Sequence, residues 1–181
     1  PEGLLAKRGN RLWRPETRPV ALLEPVLENK LVSGGVYVVI GGLGGVGWTI
    51  AKYLARQVNA KLVIIGRSIP ALDDTKPNRA AERLRSLQEL SPEVLPITAD
   101  ISDQDRLAMA IAEARAHFGH IHGVIHATHD RNEQLIRDLE PTSEQTGMAA
   151  KVFAVPELIS LLRSDPPDFL VLCSSLAAQK P

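Results

Sequence analysis

The sequence predicts an α/β protein built as a Rossmann-type doubly wound parallel sheet, incomplete at its C-terminal end. Three observations carry that expectation. From Val36 onward, short β-rich apolar runs alternate with segments whose apolar residues recur at helical spacing, the pattern of a parallel sheet covered on both faces. The first run leads directly into Gly41-Gly42-Leu43-Gly44-Gly45-Val46-Gly47 and then into an amphipathic segment. The last run is followed only by Ser174-Ser175 and a turn-like tail, Ala178-Gln179-Lys180-Pro181. Together with Pro1 in place of an initiator methionine, that ending reads as a piece of something longer.

The elements follow in order. Lys7-Arg8-Gly9-Asn10-Arg11-Leu12-Trp13-Arg14 reads as a basic edge strand. A connector containing proline and glutamate leads from it to Ser33-Gly34-Gly35, and a boundary falls there, dividing 1–33 from 34–181. The strands are expected over 36–40, 62–65, 94–97, 123–126 and 169–173. Between them, Val46, Ile50, Leu54 and Val58 share a helical stripe, as do Leu107, Ile111, Ala114 and Phe118, and later Met148, Val152, Val155, Ile159 and Leu162. Ser102 with Asp105 resembles a capping box opening the third helix, and Pro141 suits the first turn of the fourth, which Pro156 should kink. Right-handed crossovers would wind these units into one sheet with its ligand crevice at the carboxyl ends of the strands. Function belongs in the loops there.

Composition narrows the function classes. The 181 residues hold 21 basic and 21 acidic side chains, so no overall field draws in nucleic acid or an anionic membrane. No apolar stretch reaches the roughly 20 residues that span a bilayer, and no signal peptide opens the chain. The one cysteine, Cys173, lies in an apolar run, reads as a buried strand residue and builds no disulfide framework. A reducing, cytoplasmic setting is expected. His117, His120, His122, His126 and His129 crowd a short span, but strand alternation and an intervening loop supply no fixed chelating pair, so no metal site is expected.

The glycine stretch carries the chemistry. Its spacing allows a tight turn, lets a pyrophosphate approach without a Cβ in the way, and lets the helix pack close to the strand. The freed amides and the helix dipole would face the phosphates. A phosphate loop of the Gly-Lys-Ser/Thr kind is excluded, because Trp48-Thr49 follows the last glycine. After the second strand, Arg67 and Ser68 stand where an acidic residue would select NAD; a guanidinium and a hydroxyl suit a 2′-phosphate and point to NADPH. Arg67 read alone also fits an exposed loop charge, a reading that weakens beside the glycine stretch. Asp100 and Ile101 are placed to meet the adenine edge, although an aspartate before Ser102 is also helix-start chemistry.

Taken together, the stretches Gly35 to Gly47, Gly66-Arg67-Ser68, Ala99-Asp100-Ile101-Ser102-Asp103, Gly123-Val124-Ile125-His126-Ala127, Lys151-Val152-Phe153-Ala154 and Phe169 to Ser175 resemble the ketoreductase domains of polyketide synthases. Arg8 to Trp13 is similar to the last strand of the structural subdomain that precedes the catalytic half in that family. The resemblance implies reduction of a β-ketoacyl thioester, held on the phosphopantetheine arm of an acyl carrier protein, by NADPH inside a polyketide or hybrid synthase, among neighbouring synthase domains. It puts the family's lysine at Lys151 and its serine at Ser175, with His126 and Ala127 on the nicotinamide side. The family's tyrosine and asparagine would fall beyond Pro181. Ile40 stands where threonine is usual, and Asp130-Arg131-Asn132-Glu133 lacks the Leu-Asp-Asp signature, which points to the opposite product hand. Two other readings stay open: an α-ketoacyl reductase of a peptide synthetase, and a non-catalytic scaffolding module. Independently of the resemblance, Lys151 shares a helical register with Val155, Leu158 and Leu162, where an ammonium is out of place unless it reaches a cleft or snorkels to solvent. Ser174-Ser175 end a strand on the crevice side, as serines also simply do.

Overall fold

Five parallel strands run through the centre of the chain, seen in a computed structural model that describes residues 5–14, 16, 18–19, 30–70, 78–91, 93–128 and 149–175. The elements are β1 (Ala6–Arg8), β2 (Arg11–Trp13), β3 (Val36–Ile40), α1 (Gly45–Val58), β4 (Lys61–Gly66), α2 (Arg79–Leu90), β5 (Val94–Thr98), α3 (Gln104–Phe118), β6 (Gly123–His126), α4 (Ala154–Leu162) and β7 (Phe169–Leu172). The sheet order is β5-β4-β3-β6-β7, and every pairing is parallel. The chain therefore steps from β3 outward to β5, then returns to the other side of β3. That reversal makes a switch point between β3 and β6, and the doubly wound class expected from the sequence is the class observed.

Alternation along each strand divides the core in two. Val36, Val38 and Ile40 of β3, with Val63, Ile65 and Val124, face α3 and α4 and meet Leu107, Ile111, Leu158 and Leu162. Tyr37 and Val39, with Leu62, Ile64 and Ile125, face the other way onto Ala51, Leu54, Ala55 and Leu87 of α1 and α2. Both faces of β3 are covered, which is why Val-Tyr-Val-Val-Ile is apolar at every position. Each Leu or Ile so buried contributes about 1.5–3 kcal/mol relative to an exposed one.

Several elements depart from the sequence expectation. The basic stretch is a hairpin of two antiparallel strands, not one edge strand, because Gly9 takes a φ of +60° that turns the chain back on itself. Helix α2 is absent from the sequence expectation: Ala81, Leu84 and Leu87 are its buried residues, and Asn78 caps it by accepting from the Ala80 N–H at 2.9 Å. The cap of α3 is Asp103, whose Oδ1 accepts from the Arg106 N–H at 3.1 Å. Ser102 does not cap it, because its hydroxyl is committed to Asp100 at 2.7 Å. On α1 the buried stripe is Gly47, Ala51, Leu54, Ala55 and Val58, while Val46 is exposed. Cys173 lies one residue past β7 and is half-buried, not buried, since it sits where the sheet ends.

The fourth helix breaks where its proline demands. Pro156 sits in the first turn of α4 and has no N–H, so the Val152 carbonyl four residues earlier loses its α-helical donor. The chain widens there into a π-type turn, Ala149–Phe153. That turn resets the register expected upstream: Ala154, Leu158 and Leu162 are buried, whereas Val152 and Ile159 are exposed and Lys151 is on the exposed side. Met148, Pro141, the Asp130 to Glu133 loop and the tail after Ser175 lie outside the described residues. Among the described residues, no helix is long and apolar enough to cross a membrane.

Candidate nucleotide site

The glycine turn is built by three different constraints. Gly41 takes a φ of +79°, and a Cβ there would meet the Ala127 carbonyl oxygen at 2.9 Å, so the turn needs a residue that is both left-handed and small. A Cβ on Gly47 would run into the Gly41 carbonyl oxygen, so this glycine lets α1 start against the strand exit. Gly42 is buried, and a Cβ there would press on Ile64 at 2.9 Å. Gly45 differs from these three. A Cβ there would meet nothing within 4 Å, so the backbone is open to approach at the first residue of α1. Leu43 packs on the core below, Val46 points outward, and Gly44 is the N-cap with no side-chain cap and no acidic residue in the first turn. An uncapped helix start with open approach favours an anion.

The turn sits at the switch point itself. The Gly41 N–H donates to the Ile65 carbonyl at 2.7 Å, and the Ala127 N–H donates to the Ile40 carbonyl at 2.8 Å, locking the exits of β4, β3 and β6 side by side. Arg67 and Ser68 follow β4 directly and are both exposed. The Ala99 N–H donates to the Gly66 carbonyl at 3.0 Å, which brings Asp100 and the buried Ile101 alongside them. The Asp100 carboxyl is held below the ordinary carboxylate range chiefly by the Ser102 hydroxyl; burial opposes this, and the Ser102 N–H and the Arg67 charge add lesser lowering effects. The Asp100 carboxylate accepts from the Ser102 hydroxyl at 2.7 Å and from the Ser102 N–H at 3.0 Å, a local turn just ahead of α3, whose cap is Asp103.

The remaining candidates cluster at the same end of the sheet by topology. His126 ends β6, is buried, and lies 3.4 Å through Nε2 from the Thr128 hydroxyl. Its carbonyl accepts from the Cys173 N–H at 2.9 Å, so the exits of β6 and β7 are adjacent. Ser175 follows that exit by two residues and is exposed. Only residues 163–168 separate α4 from the start of β7, so α4 runs antiparallel to the strand and its leading π-type turn, with Lys151, lies toward the carboxyl end. Tyr37 is at the opposite end: its hydroxyl accepts from the Val32 N–H at 2.7 Å, and burial raises its pKa. Tyr53 is exposed on α1.

Among the described residues, the His120 and His122 rings pack edge to face at 5.0 Å, each with a further partner, and His129 lies outside the described residues. His120 Nδ1 lies 2.9 Å from Asp165, His122 Nδ1 accepts from the Val36 N–H at 3.0 Å, and the His117 ring packs edge-on against Phe118. One residue that sequence reasoning passed over touches the glycine turn. Arg83 of α2 donates to the Leu43 carbonyl at 2.6 Å, and its guanidinium carbon lies 5.1 Å from the centre of the Trp48 indole. Nothing local marks Arg83, which reads as a solvated helix charge 40 residues from its partner.

A five-stranded parallel sheet whose glycine turn is pressed against the exit of the neighbouring strand at the point of order reversal defines the Rossmann-type α/β class. The KR domain family profile matches residues 35–179. Polyketide synthase PksM of Bacillus subtilis is 35% identical over 147 residues, covering 81% of this chain and 3% of PksM. Polyketide synthase ThaG of Burkholderia thailandensis is 30% identical over 173 residues, covering 94% of this chain and 3% of ThaG. The crystal structure of an N-terminal ketoreductase from the macrolactin assembly line superposes with a TM-score of 0.72 at 31% identity, covering 92% of this chain and 31% of that one. The chain thus spans about 3% of the length of these two curated relatives. It belongs to the KR domain family, the ketoreductase domains of modular polyketide synthases within the short-chain dehydrogenase/reductase superfamily.

Proposed function

We propose that this domain reduces a β-ketoacyl thioester, presented by an acyl carrier protein, to the β-hydroxyacyl thioester with NADPH inside a polyketide or hybrid synthase. The observation that carries the reading is the open, uncapped helix start at Gly45, at the sheet's switch point, in a chain of the KR family. The residues present fit a dinucleotide. The amides of Gly45 and Val46 would hold the pyrophosphate, Arg67 and Ser68 the 2′-phosphate, and Asp100 with Ile101 the adenine, while His126 and Ala127 would border the nicotinamide. When bound, NADPH supplies the hydride.

What the chain itself contributes follows from ordinary chemistry. The Ser175 hydroxyl would donate a hydrogen bond to the ketone oxygen, where negative charge grows during reduction. A hydroxyl that weak an acid does not deliver the proton, so a phenol beside Lys151 is required, and the ammonium at Lys151 favours its ionised form. The reading places the protein in the cytoplasm among neighbouring synthase domains, with residues 1–33 closing a structural subdomain and 34–181 forming the nucleotide-binding part. Its test uses the intact protein. NADPH should be consumed when a β-ketoacyl thioester on a carrier protein is added, and Gly45→Val should abolish dinucleotide binding with the fold intact. Undiminished NADPH affinity in Gly45→Val would show that the turn binds nothing.

A further inference from the structure

Five glycines among the seven residues from Gly41 to Gly47 give the loop large backbone freedom, so its order must be imposed from outside. The Gly41 N–H is tied to Ile65, as above. The next peptide to be held is the one joining Leu43 to Gly44. Its N–H, that of Gly44, donates to the Gly41 carbonyl at 2.9 Å, and its carbonyl, that of Leu43, accepts from the Arg83 guanidinium at 2.6 Å. This unit is pinned at both polar ends. Because Gly44 is the N-cap of α1, pinning it sets the direction of the helix's first amides. Arg83 is itself held in place. Its planar guanidinium lies over one ring of Trp48, and Lys52 Nζ lies 4.2 Å from the centre of the same indole. Among the described residues the buried indole Nε1 has no hydrogen-bond partner, so packing and these two cations are what hold the ring there.

We propose that Arg83, braced on Trp48, is a positioning residue that orders the glycine turn before the dinucleotide arrives. The inference rests on the dinucleotide reading of the site and deepens it. A charged donor makes the stronger class of hydrogen bond, and a turn already ordered does not charge its ordering entropy to binding. Arg83 acts through Leu43 on the pyrophosphate cradle, which NADPH and NADH share. Its loss therefore weakens both cofactors alike and leaves the reacting ketone untouched.

The experiment compares the intact protein with Arg83→Met and Arg83→Lys in three readouts. Fluorescence of bound NADPH and NADH gives both affinities, steady-state kinetics give kcat and KM for NADPH, and hydrogen exchange of the Leu43 to Val46 amides is followed without ligand. Arg83→Met should weaken both dinucleotides about tenfold, equivalent to about 1.4 kcal/mol, with their ratio unchanged. It should raise KM for NADPH at constant kcat and speed exchange in the loop. Arg83→Lys, which keeps a donor for the Leu43 carbonyl, should recover most of the loss. Unchanged affinities and exchange overturn the proposal, as does a shifted NADPH to NADH ratio, which would put Arg83 on the 2′-phosphate. If Arg83→Met does not fold, Arg83→Gln takes its place with the same expectations. A parent protein that binds neither dinucleotide sinks the site reading, while loop exchange still reports on Arg83 separately.

Discussion

At the scale of single residues, charge and Cβ volume make opposite kinds of demand on the site. Arg67 is exposed and near Asp100, so its cost to the fold is small and its proposed role is a contact with the 2′-phosphate. Arg67→Asp should reverse a preference for NADPH over NADH, losing on the order of 1.5–3 kcal/mol of NADPH affinity, as read by titrating both cofactors into each protein. Asp100 makes a pH prediction. Its folded carboxyl titrates below the unfolded value of 3.8, so the stability it adds is present above that value and lost as pH falls through the folded one. Asp100→Asn should therefore melt below the parent at neutral pH, and the gap should close under acid conditions below 3.8. A gap that widens in acid would contradict the assignment. The glycines divide by what surrounds them. Gly47→Ala drives a methyl into the Gly41 carbonyl and should destabilise by about 1–3 kcal/mol, whereas Gly45→Ala should melt with the parent.

Elements set where those residues end up. β6 opens with Gly123, where a Cβ would strike the Phe169 ring and come within 2.8 Å of Tyr37. Tyr37 and Phe169 stack at 6.0 Å across that gap, so the strand passes between two aromatic rings only without a side chain. Gly123→Ala should cost about 1–3 kcal/mol in denaturant unfolding. The π-type turn before α4 makes a subtler test. Pro156→Ala restores a donor for the Val152 carbonyl and removes a helix breaker, so α-helical register can extend back through Lys151. Each residue of register is about 100° of rotation, enough to carry Lys151 away from its present direction. The variant should be at least as stable as the parent, bind NADPH equally, and turn over more slowly. Equal turnover would detach Lys151 from the chemistry.

For the molecule as a whole, binding and reduction should come apart. The groups proposed for the cofactor lie on β3, β4, β5, β6 and the turns that follow them, all held by one continuous sheet. The two tyrosines within the 181 residues lie elsewhere, Tyr37 at the opposite sheet end and Tyr53 exposed on α1. These residues alone should bind NADPH yet reduce a β-ketoacyl thioester about 10²–10⁴-fold more slowly than a longer chain that supplies a phenol beside Lys151. Equal rates would point to another acid, with His129 the first to replace.

What the sequence determined by itself was whatever depends on short separations: the five strands of the parallel sheet, the glycine turn, and the residues at strand exits. Period and turn chemistry are local, so an apolar run such as Val36–Ile40 and a turn such as Gly41 to Gly47 declare themselves without the rest of the chain. Local rules failed where two options lay within a few residues, as when Asp103 rather than Ser102 capped α3, and where one proline reset the register of Lys151. Only the tertiary structure decided which glycine faces open space and which faces a backbone carbonyl, because Gly45 and Gly47 differ only in what the fold sets against them. It alone brought Arg83 to Leu43 and Trp48, since a helix charge acquires a distant carbonyl as its partner only when α1 and α2 pack on the same face of one sheet.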